Sequence, residues 1–273
     1  MKNNRSFADR QMLEYGIMKP YSNISCFSTT RHGGCGEGTY ATFNCTHYCG
    51  DNPEHVKANL NFVKAFLKNA KANQDERADV LVIPRQIHTT NVRIIADVPT
   101  EDELQDVDAV VTHLKGFCLC VSTADCVPIL IYDPVKQVIA AVHAGWRGTV
   151  GRIVEKTIEA MKSHYGTDGK DIVACIGPSI SLESFEVGDE VYDAFAEAGF
   201  DMNRIAKRYE KWHLDLWEAN RLQLLNQGVL PGNMEVAGIC TYQHHEDFFS
   251  ARRLGIQSGR ILSGIMVCYS EEL

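Results

Sequence analysis

The 273-residue chain contains no apolar run near the roughly 20 residues that span a bilayer, which argues against a helical membrane protein. It has no apolar stretch behind its polar start, Met1–Arg10, so no secretory signal is expected. Its ten cysteines lack the rhythm of a disulfide framework and read as thiols of a reducing compartment, the cytoplasm. Positive charge is not in excess: 27 Lys and Arg stand against 35 Asp and Glu, a net −8, which disfavours a nucleic-acid backbone as partner. Repeats, low-complexity tracts and Pro/Ser-rich linkers are absent. One domain over residues 1–273 is therefore the simpler organisation, with 1–20 a peripheral N-terminal segment. Walker, dinucleotide, paired CxxC and HExxH patterns are also missing, so no local motif names a cofactor. Hydrophobic content of 45% and charged content of 23% describe a folded chain with a sizeable core.

Hydrophobic periodicity then places the elements. Asn52 can cap a helix opened by Pro53 and Glu54, and Val56, Leu60, Val63 and Leu67 line one side of it. Short apolar, β-branched runs predict strands at Val80–Ile83, Val92–Ile95, Val107–Val111, Phe117–Val121, Pro128–Ile131 and Val138–Val142. Several are apolar throughout, the mark of burial on both faces. A second helix is expected from Thr149 to a stop at Gly166. Further elements are a strand at Ile172–Ile176, a helix at Glu190–Ala198, a helix capped by Asp215 and ending at Gly228, and strands near Glu235–Ile239 and Ile261–Cys268. Strands outnumber helices and follow one another in mid-chain, an α+β pattern rather than βαβ alternation.

Chemistry-bearing residues cluster at the expected strand ends. Cys126 sits in Ser122-Thr-Ala-Asp-Cys-Val-Pro128, a polar turn between buried strands, where Thr123 and Asp125 are placed to orient a ligand or a nucleophile. An ordinary buried thiol is the alternative. His143-Ala-Gly-Trp-Arg-Gly-Thr149 lies at a strand-to-helix junction where Gly145 and Gly148 permit close backbone approach and Arg147 suits an anion. His88 follows Gln86 on a loop. Phe248-Phe-Ser-Ala-Arg-Arg253 combines aromatics for stacking with arginines for an anion. The spacing of His88, Cys126 and His143 matches no local zinc pattern and does not by itself establish a metal site. Cys35, Cys45 and Cys49 resemble a metal tract without its second half. Cys118 and Cys120 alternate on one strand and should face the same side, in the core.

Taken in order, Ser28-Thr-Thr-Arg-His-Gly-Gly34, Asn44, Gly50-Asp51, Gln86-Ile-His88, Asp108-Ala-Val-Val-Thr112, Thr123-Ala-Asp-Cys-Val-Pro128, His143–Thr149, Ile176-Gly-Pro178, Phe185-Glu-Val187 and Phe248–Arg253 resemble the laccase-domain family, also called polyphenol oxidase-like or peptidoglycan-editing-factor-like. The resemblance runs from about Ser28 to the C-terminus. It departs in having Thr89 where the family often has glycine, an extra threonine before Arg31, and incidental cysteines between Cys35 and Cys49.

The resemblance implies a layered α/β/β/α domain and one zinc held by His88, Cys126 and His143, copper being the less favoured metal. It implies phosphorolysis of adenosine, inosine, guanosine and methylthioadenosine, with adenosine deaminase side activity. Three ligands leave one position of tetrahedral zinc open, as in catalytic sites, and water acidified there suits attack at C6 of adenosine. Phosphorolysis needs cations for phosphate, for which Arg31, Arg147 and Arg253 are candidates. Asn44, Gln86 and Glu186 complete the candidate substrate contacts, Glu186 also as acid/base. Three rival readings are a Cys126/His143 hydrolase or amidase that edits peptidoglycan precursors, a copper-dependent phenol oxidase, and a binding module without activity. Only ten histidines and no HxH repeat count against the oxidase.

Overall fold

A computed structural model describes residues 12–70 and 80–269. In chain order its elements are β1 (Met12–Glu14), β2 (Ile24–Thr29), α1 (Pro53–Ala70), β3 (Val80–Val82), β4 (Val92–Ile94), β5 (Ala109–Thr112), β6 (Phe117–Thr123), β7 (Val127–Asp133), β8 (Val138–Ala144), α2 (Trp146–Val150) and α3 (Ile153–Tyr165). They continue with β9 (Val173–Ile176), β10 (Glu186–Val187), α4 (Asp189–Glu197), α5 (Met202–Ile205), β11 (Ala206–Arg208), β12 (Trp212–Leu214), α6 (Leu216–Asn226), β13 (Met234–Val236), α7 (Ala251–Leu254) and β14 (Ile261–Val267).

Two sheets carry the structure: a five-stranded one in the order β1-β2-β14-β6-β3 and a six-stranded one in the order β13-β9-β7-β8-β5-β4. They stack face to face, and helices cover the outer faces. Strand alternation shows this directly. In β6, Leu119 and Val121 enter the core between the sheets, while Cys118 and Cys120 face α1 together with Val63 and Leu67. In β7, Leu130 and Tyr132 point between the sheets, and Ile129 and Ile131 pack against Ile158 and Met161 of α3 and Leu224 of α6. Period-2 side chains with apolar neighbours on both sides explain why these strands read as unbroken apolar runs. The result is the expected α/β/β/α layering. Cys118 Sγ and Cys120 Sγ lie 3.6 Å apart on the same side, as their alternation predicts.

Local signals act where expected. Asn52 Oδ1 accepts the Glu54 N–H at 3.0 Å at the start of α1. Asp215 Oδ1 accepts the Glu218 N–H at 2.9 Å at the start of α6. Gly166, at φ 70°, ends α3. No helix among the described residues is long and apolar enough to cross a membrane.

Three expectations are corrected. The helix expected from Thr149 begins earlier, at Trp146, and breaks at Gly151–Arg152 before resuming as α3. The break is forced by close packing: a Cβ on Gly151 would lie 2.5 Å from Thr90 Cγ2, and Arg152 takes a left-handed φ of 62°. Residues 1–11 of the expected peripheral segment lie outside the described residues. From Met12 on it is not peripheral, because β1 pairs with β2 and Tyr15 and Met18 are buried in the core between the sheets. Strands β2, β10, β11 and β12 were not expected; the last three form a separate small sheet in the order β10-β12-β11.

Candidate metal centre

The link from β6 to β7 carries the chain from one sheet to the other. It passes through Asp125, whose φ of 84° turns the backbone sharply, and places Cys126 at the mouth of β7. In the adjoining β8, His143 pairs with Pro128, so Cys126 and His143 meet at one end of the six-stranded sheet. The third member, His88, comes from the loop after β3, in a left-handed backbone at φ 67°. The ligand atoms of His88, Cys126 and His143 all lie within 4.8 Å of one another. Among the described residues they are the one such group of three or more metal-binding side chains.

The spacing suits an ion. Zn–N near 2.05 Å and Zn–S near 2.3 Å at tetrahedral angles put N and S about 3.6 Å apart, and His88 Nε2 lies 3.6 Å from Cys126 Sγ. The two imidazole rings stand 4.8 Å apart at 74°. His143 is buried, Cys126 half-buried and His88 exposed, so one flank of the cluster faces solvent. Two imidazoles and a thiolate with an open flank fit a metal ion that keeps a fourth position free. Gly145 makes room for them: a Cβ there would meet His88 Cδ2 at 2.8 Å and Cys126 Sγ at 3.0 Å.

The electrostatics are those of a prepared anion–cation chain. Burial alone would raise the Cys126 thiol, but the charge and hydrogen bond of His143, and then His88, draw its pKa down to about 6. Burial alone would lower His143, but the Cys126 thiolate and the Asp108 carboxylate raise it to about 9. Asp108 is buried, which raises its pKa, yet His143 and Thr89 hold it down at about 2.

Asp108 was quoted in the sequence only as the start of a motif, and no pattern assigned it a role. In the structure its Oδ1 accepts His143 Nδ1–H at 2.7 Å and the His88 backbone N–H at 3.0 Å. Its Oδ2 accepts both the N–H and the hydroxyl of Thr89, each at 2.7 Å. One buried carboxylate therefore orients His143 with Nε2 toward Cys126 and holds the strained His88 loop in place. Thr89, where glycine was the family expectation, adds a hydroxyl to this arrangement.

The other candidate residues divide by the company they keep. Gln86 is buried and binds the main chain of Ser122 in both directions, at 2.8 and 2.7 Å, tying the His88 loop to the strand that leads to Cys126. Asn44 is buried and bonds Asp51 at 2.9 Å and the Arg260 N–H at 3.0 Å. Glu186 is exposed on β10, where Lys211 at 2.8 Å holds its carboxyl below the usual range and keeps it ionised. Arg31 donates to the carbonyls of Ala41 and His245 at 2.8 and 2.6 Å and stacks on Phe249. Arg147 is exposed and lies over Trp146 at 4.4 Å, with no acceptor for its guanidinium among the described residues. Arg253 touches Tyr242 OH at 3.4 Å. Asp125, Thr241 and Arg252 form a further linked group. Cys45 is buried, and Cys49 bonds Asn44 and the Thr46 carbonyl; among the described residues neither belongs to a group of three or more metal-binding side chains.

Fold and site together define a class: layered α+β proteins with a candidate His–Cys–His metal centre where the chain passes between two stacked sheets. The chain belongs to the multi-copper polyphenol oxidoreductase laccase family, whose pattern matches residues 25–268. It is 55% identical over 269 residues to a purine nucleoside phosphorylase of Bacteroides thetaiotaomicron, covering 95% of this chain and 97% of that one. It is 41% identical over 257 residues to adenosine deaminase RL5 of an unknown prokaryotic organism, covering 90% and 95%. A crystal structure of Bacillus licheniformis hypothetical protein YfiH superimposes with a TM-score of 0.86 at 27% identity, covering 97% and 99%.

Proposed function

We propose that the protein is a zinc-dependent purine nucleoside phosphorylase that cleaves adenosine, inosine, guanosine or methylthioadenosine with phosphate, and that it also deaminates adenosine. The observation that carries this reading is the cluster of His88, Cys126 and His143, whose solvent-facing flank leaves room for substrate. The names of the similar proteins, one group phosphorylases and one a deaminase, support the same pair of reactions.

Zinc bound by His88, Cys126 and His143 would supply Lewis acidity and a position at which water is acidified. Asp108 keeps a proton on His143 Nδ1, leaving Nε2 for the ion. In phosphorolysis a phosphate oxygen bonds to C1′ as the C1′–N9 bond breaks; the purine leaves with the bonding pair and takes up a proton. Phosphate dianion needs cations at that moment. Arg147, whose guanidinium has no protein acceptor among the described residues, is the leading contact, with Arg253 and the half-buried Arg31 as further candidates. Deamination exchanges the C6 amine of adenosine for water oxygen and releases ammonia without phosphate. The ten cysteines, none of them in a disulfide among the described residues, suit the reducing cytoplasm. A multi-copper oxidase needs several copper centres, and the described residues offer one cluster.

The test is to incubate zinc-loaded protein with adenosine, with and without phosphate, and separate the products. Phosphate-dependent adenine release is the expected result, and phosphate-independent inosine marks the deaminase. No turnover in either condition would sink the reading.

A specific observation favours a second reading. Cys126, His143 and Asp108 line up as thiol, base and orienting carboxylate, the arrangement of a cysteine hydrolase or amidase able to act on peptidoglycan precursors. Alkylation separates the two: a metal-bound thiolate resists iodoacetamide until chelator is added, and a free nucleophile reacts at once.

A further inference from the structure

The turn that carries Cys126 is bound to a distant part of the chain through one side chain. Asp125 Oδ1 accepts the Thr241 hydroxyl at 2.7 Å, and Oδ2 accepts the backbone N–H of Arg252 at 2.6 Å. Its own carbonyl accepts the Ile180 N–H at 3.0 Å. Asp125 also sits at φ 84°, where glycine would fit with less strain. A carboxylate in that backbone brings bonds that glycine lacks, and both side-chain bonds run to the segment that bears Arg252 and Arg253.

The main-chain donors of Arg252, Arg253 and Leu254 are already taken. Arg252 N–H goes to Asp125, Arg253 N–H to Ser250 Oγ at 3.2 Å, and Leu254 N–H to the Ser250 carbonyl at 2.9 Å. An anion here must be held by a guanidinium. That of Arg252 is exposed and lies 5.6 Å from the Phe185 ring centroid. It gives one bond, at 3.2 Å, to the Glu186 carbonyl, and among the described residues no carboxylate pairs with it. A guanidinium carries five N–H donors, so most of its donor capacity stays available. Arg253 is turned to Tyr242 instead. Asp125, the residue before the candidate metal ligand Cys126, thus ties to that turn the main chain of a residue whose guanidinium has donors to spare.

We propose that Arg252 is a phosphate contact of the candidate site and that Asp125 is the positioning residue that sets it relative to Cys126. This rests on the phosphorylase reading and deepens it by adding Arg252 to Arg147 as a second cation for the phosphate. Asp125 touches neither phosphate nor nucleoside; it acts through the Arg252 main chain. Losing Asp125 and losing Arg252 must then weaken phosphate binding by the same route, so their effects overlap rather than add.

The experiment titrates inorganic phosphate into zinc-loaded protein by calorimetry and measures the phosphate and nucleoside KM of phosphorolysis, with zinc content checked in every variant. The proteins are wild type, Arg252→Gln, Asp125→Ala, Thr241→Val and the Arg252→Gln/Asp125→Ala double variant. Arg252→Gln, an exposed change, should weaken phosphate Kd about 10- to 100-fold, the loss of a charge-assisted bond. Its nucleoside KM should stay within about twofold. Asp125→Ala should weaken phosphate in the same direction, Thr241→Val less so, and the double variant no further than Arg252→Gln alone. An unchanged phosphate Kd in Arg252→Gln, additive losses in the double variant, or no phosphate binding by wild type would overturn the inference. Phosphate binding by wild type without phosphorolysis would instead overturn the enzyme reading and leave the anion site standing. Should Asp125→Ala not fold, Arg252→Gln and Thr241→Val decide the matter.

Discussion

Asp108 Oδ1 lies 2.7 Å from Nδ1 of His143, inside the protein and away from solvent. The same oxygen accepts the backbone N–H of His88 at 3.0 Å, so one atom sets the orientation of one candidate metal ligand and the loop position of another. The candidate centre is therefore organised from beneath, by a residue that supplies no ligand atom to it.

Asp108→Asn should disable this arrangement. Asn cannot accept from both His143 and the Thr89 N–H and hydroxyl, and a protonated His143 loses its counter-charge. Zinc affinity, measured by competition with a chelating dye, should fall about 10- to 100-fold. Breaking a buried pair of this kind costs about 3–5 kcal/mol. The Asp108 pKa is lowered to about 2, below the usual carboxylate value, so its stabilisation is complete above about pH 4 and is lost as pH falls toward 2. Denaturant unfolding of metal-free protein should show a gap between wild type and variant that is flat from about pH 4 to about 6, narrows as pH falls below 4, and narrows again as pH rises through the His143 pKa of about 9. Equal zinc affinity in the two proteins would refute the assignment.

Thr89→Ala tests the hydroxyl alone. The Thr89 N–H bond to Asp108 survives and the Oγ1 bond at 2.7 Å is lost. The loss should be about 1.5 kcal/mol in chemical denaturation, near the low end for a hydrogen bond to a charged group. Zinc should still bind, because His143 keeps its partner. A variant as stable as wild type would show that the hydroxyl adds nothing.

Gly145→Ala should separate metal binding from folding. The new methyl would collide with the His88 ring at 2.8 Å and with Cys126 Sγ at 3.0 Å, both ligand groups. His88 is on an exposed loop and can move aside, so the fold should persist with a loss of about 1–3 kcal/mol. Zinc retention after gel filtration should drop well below one ion per chain. Full occupancy with unaltered affinity would contradict the close approach.

The Cys126 thiol should show its lowered pKa in protein stripped with chelator. With a value of about 6, the thiolate fraction rises between pH 5 and 7 and is then complete, so the iodoacetamide rate should level off above about pH 7. An ordinary thiol would still be gaining rate at pH 8.5. In Asp108→Asn the plateau should shift to higher pH, since His143 loses the carboxylate that keeps it protonated. Peptide mapping identifies the alkylated residue, and a rate still climbing above pH 8 would count against the pairing.

Much of this protein was readable in its sequence, because the signals involved are local. Asn52 before Pro53, Asp215 before Leu216 and Gly166 after Tyr165 act within one helical turn of themselves, and each marks a real boundary. The unbroken apolar runs of β6, β7 and β8 announced burial on both faces, and the stacked sheets provide it. The short strands β10 to β12 escaped notice because their residues are largely polar or exposed and their pairing depends on partners far along the chain.

The site was legible only in part, and the reason is geometric. The TADCVP and HAGWRGT strings mark Cys126 and His143 through family resemblance, but spacing along the chain cannot show that 38 residues separate His88 from a sulfur it nearly touches. Their meeting depends on the β6–β7 link crossing from one sheet to the other and on β8 pairing with β7, which are decisions of the tertiary fold. Asp108 is an ordinary charged residue in the sequence, and neither Asp125 nor Arg252 shows its partner there. Only folding removes Asp108 from water, and a buried carboxylate must be satisfied by hydrogen bonds, here from the two histidine segments. The sequence by itself determined the long apolar strands, the caps and the candidate ligand types. The tertiary structure decided which of the polar residues would be gathered around those ligands, because desolvation and cross-sheet packing act between segments that the linear order keeps apart.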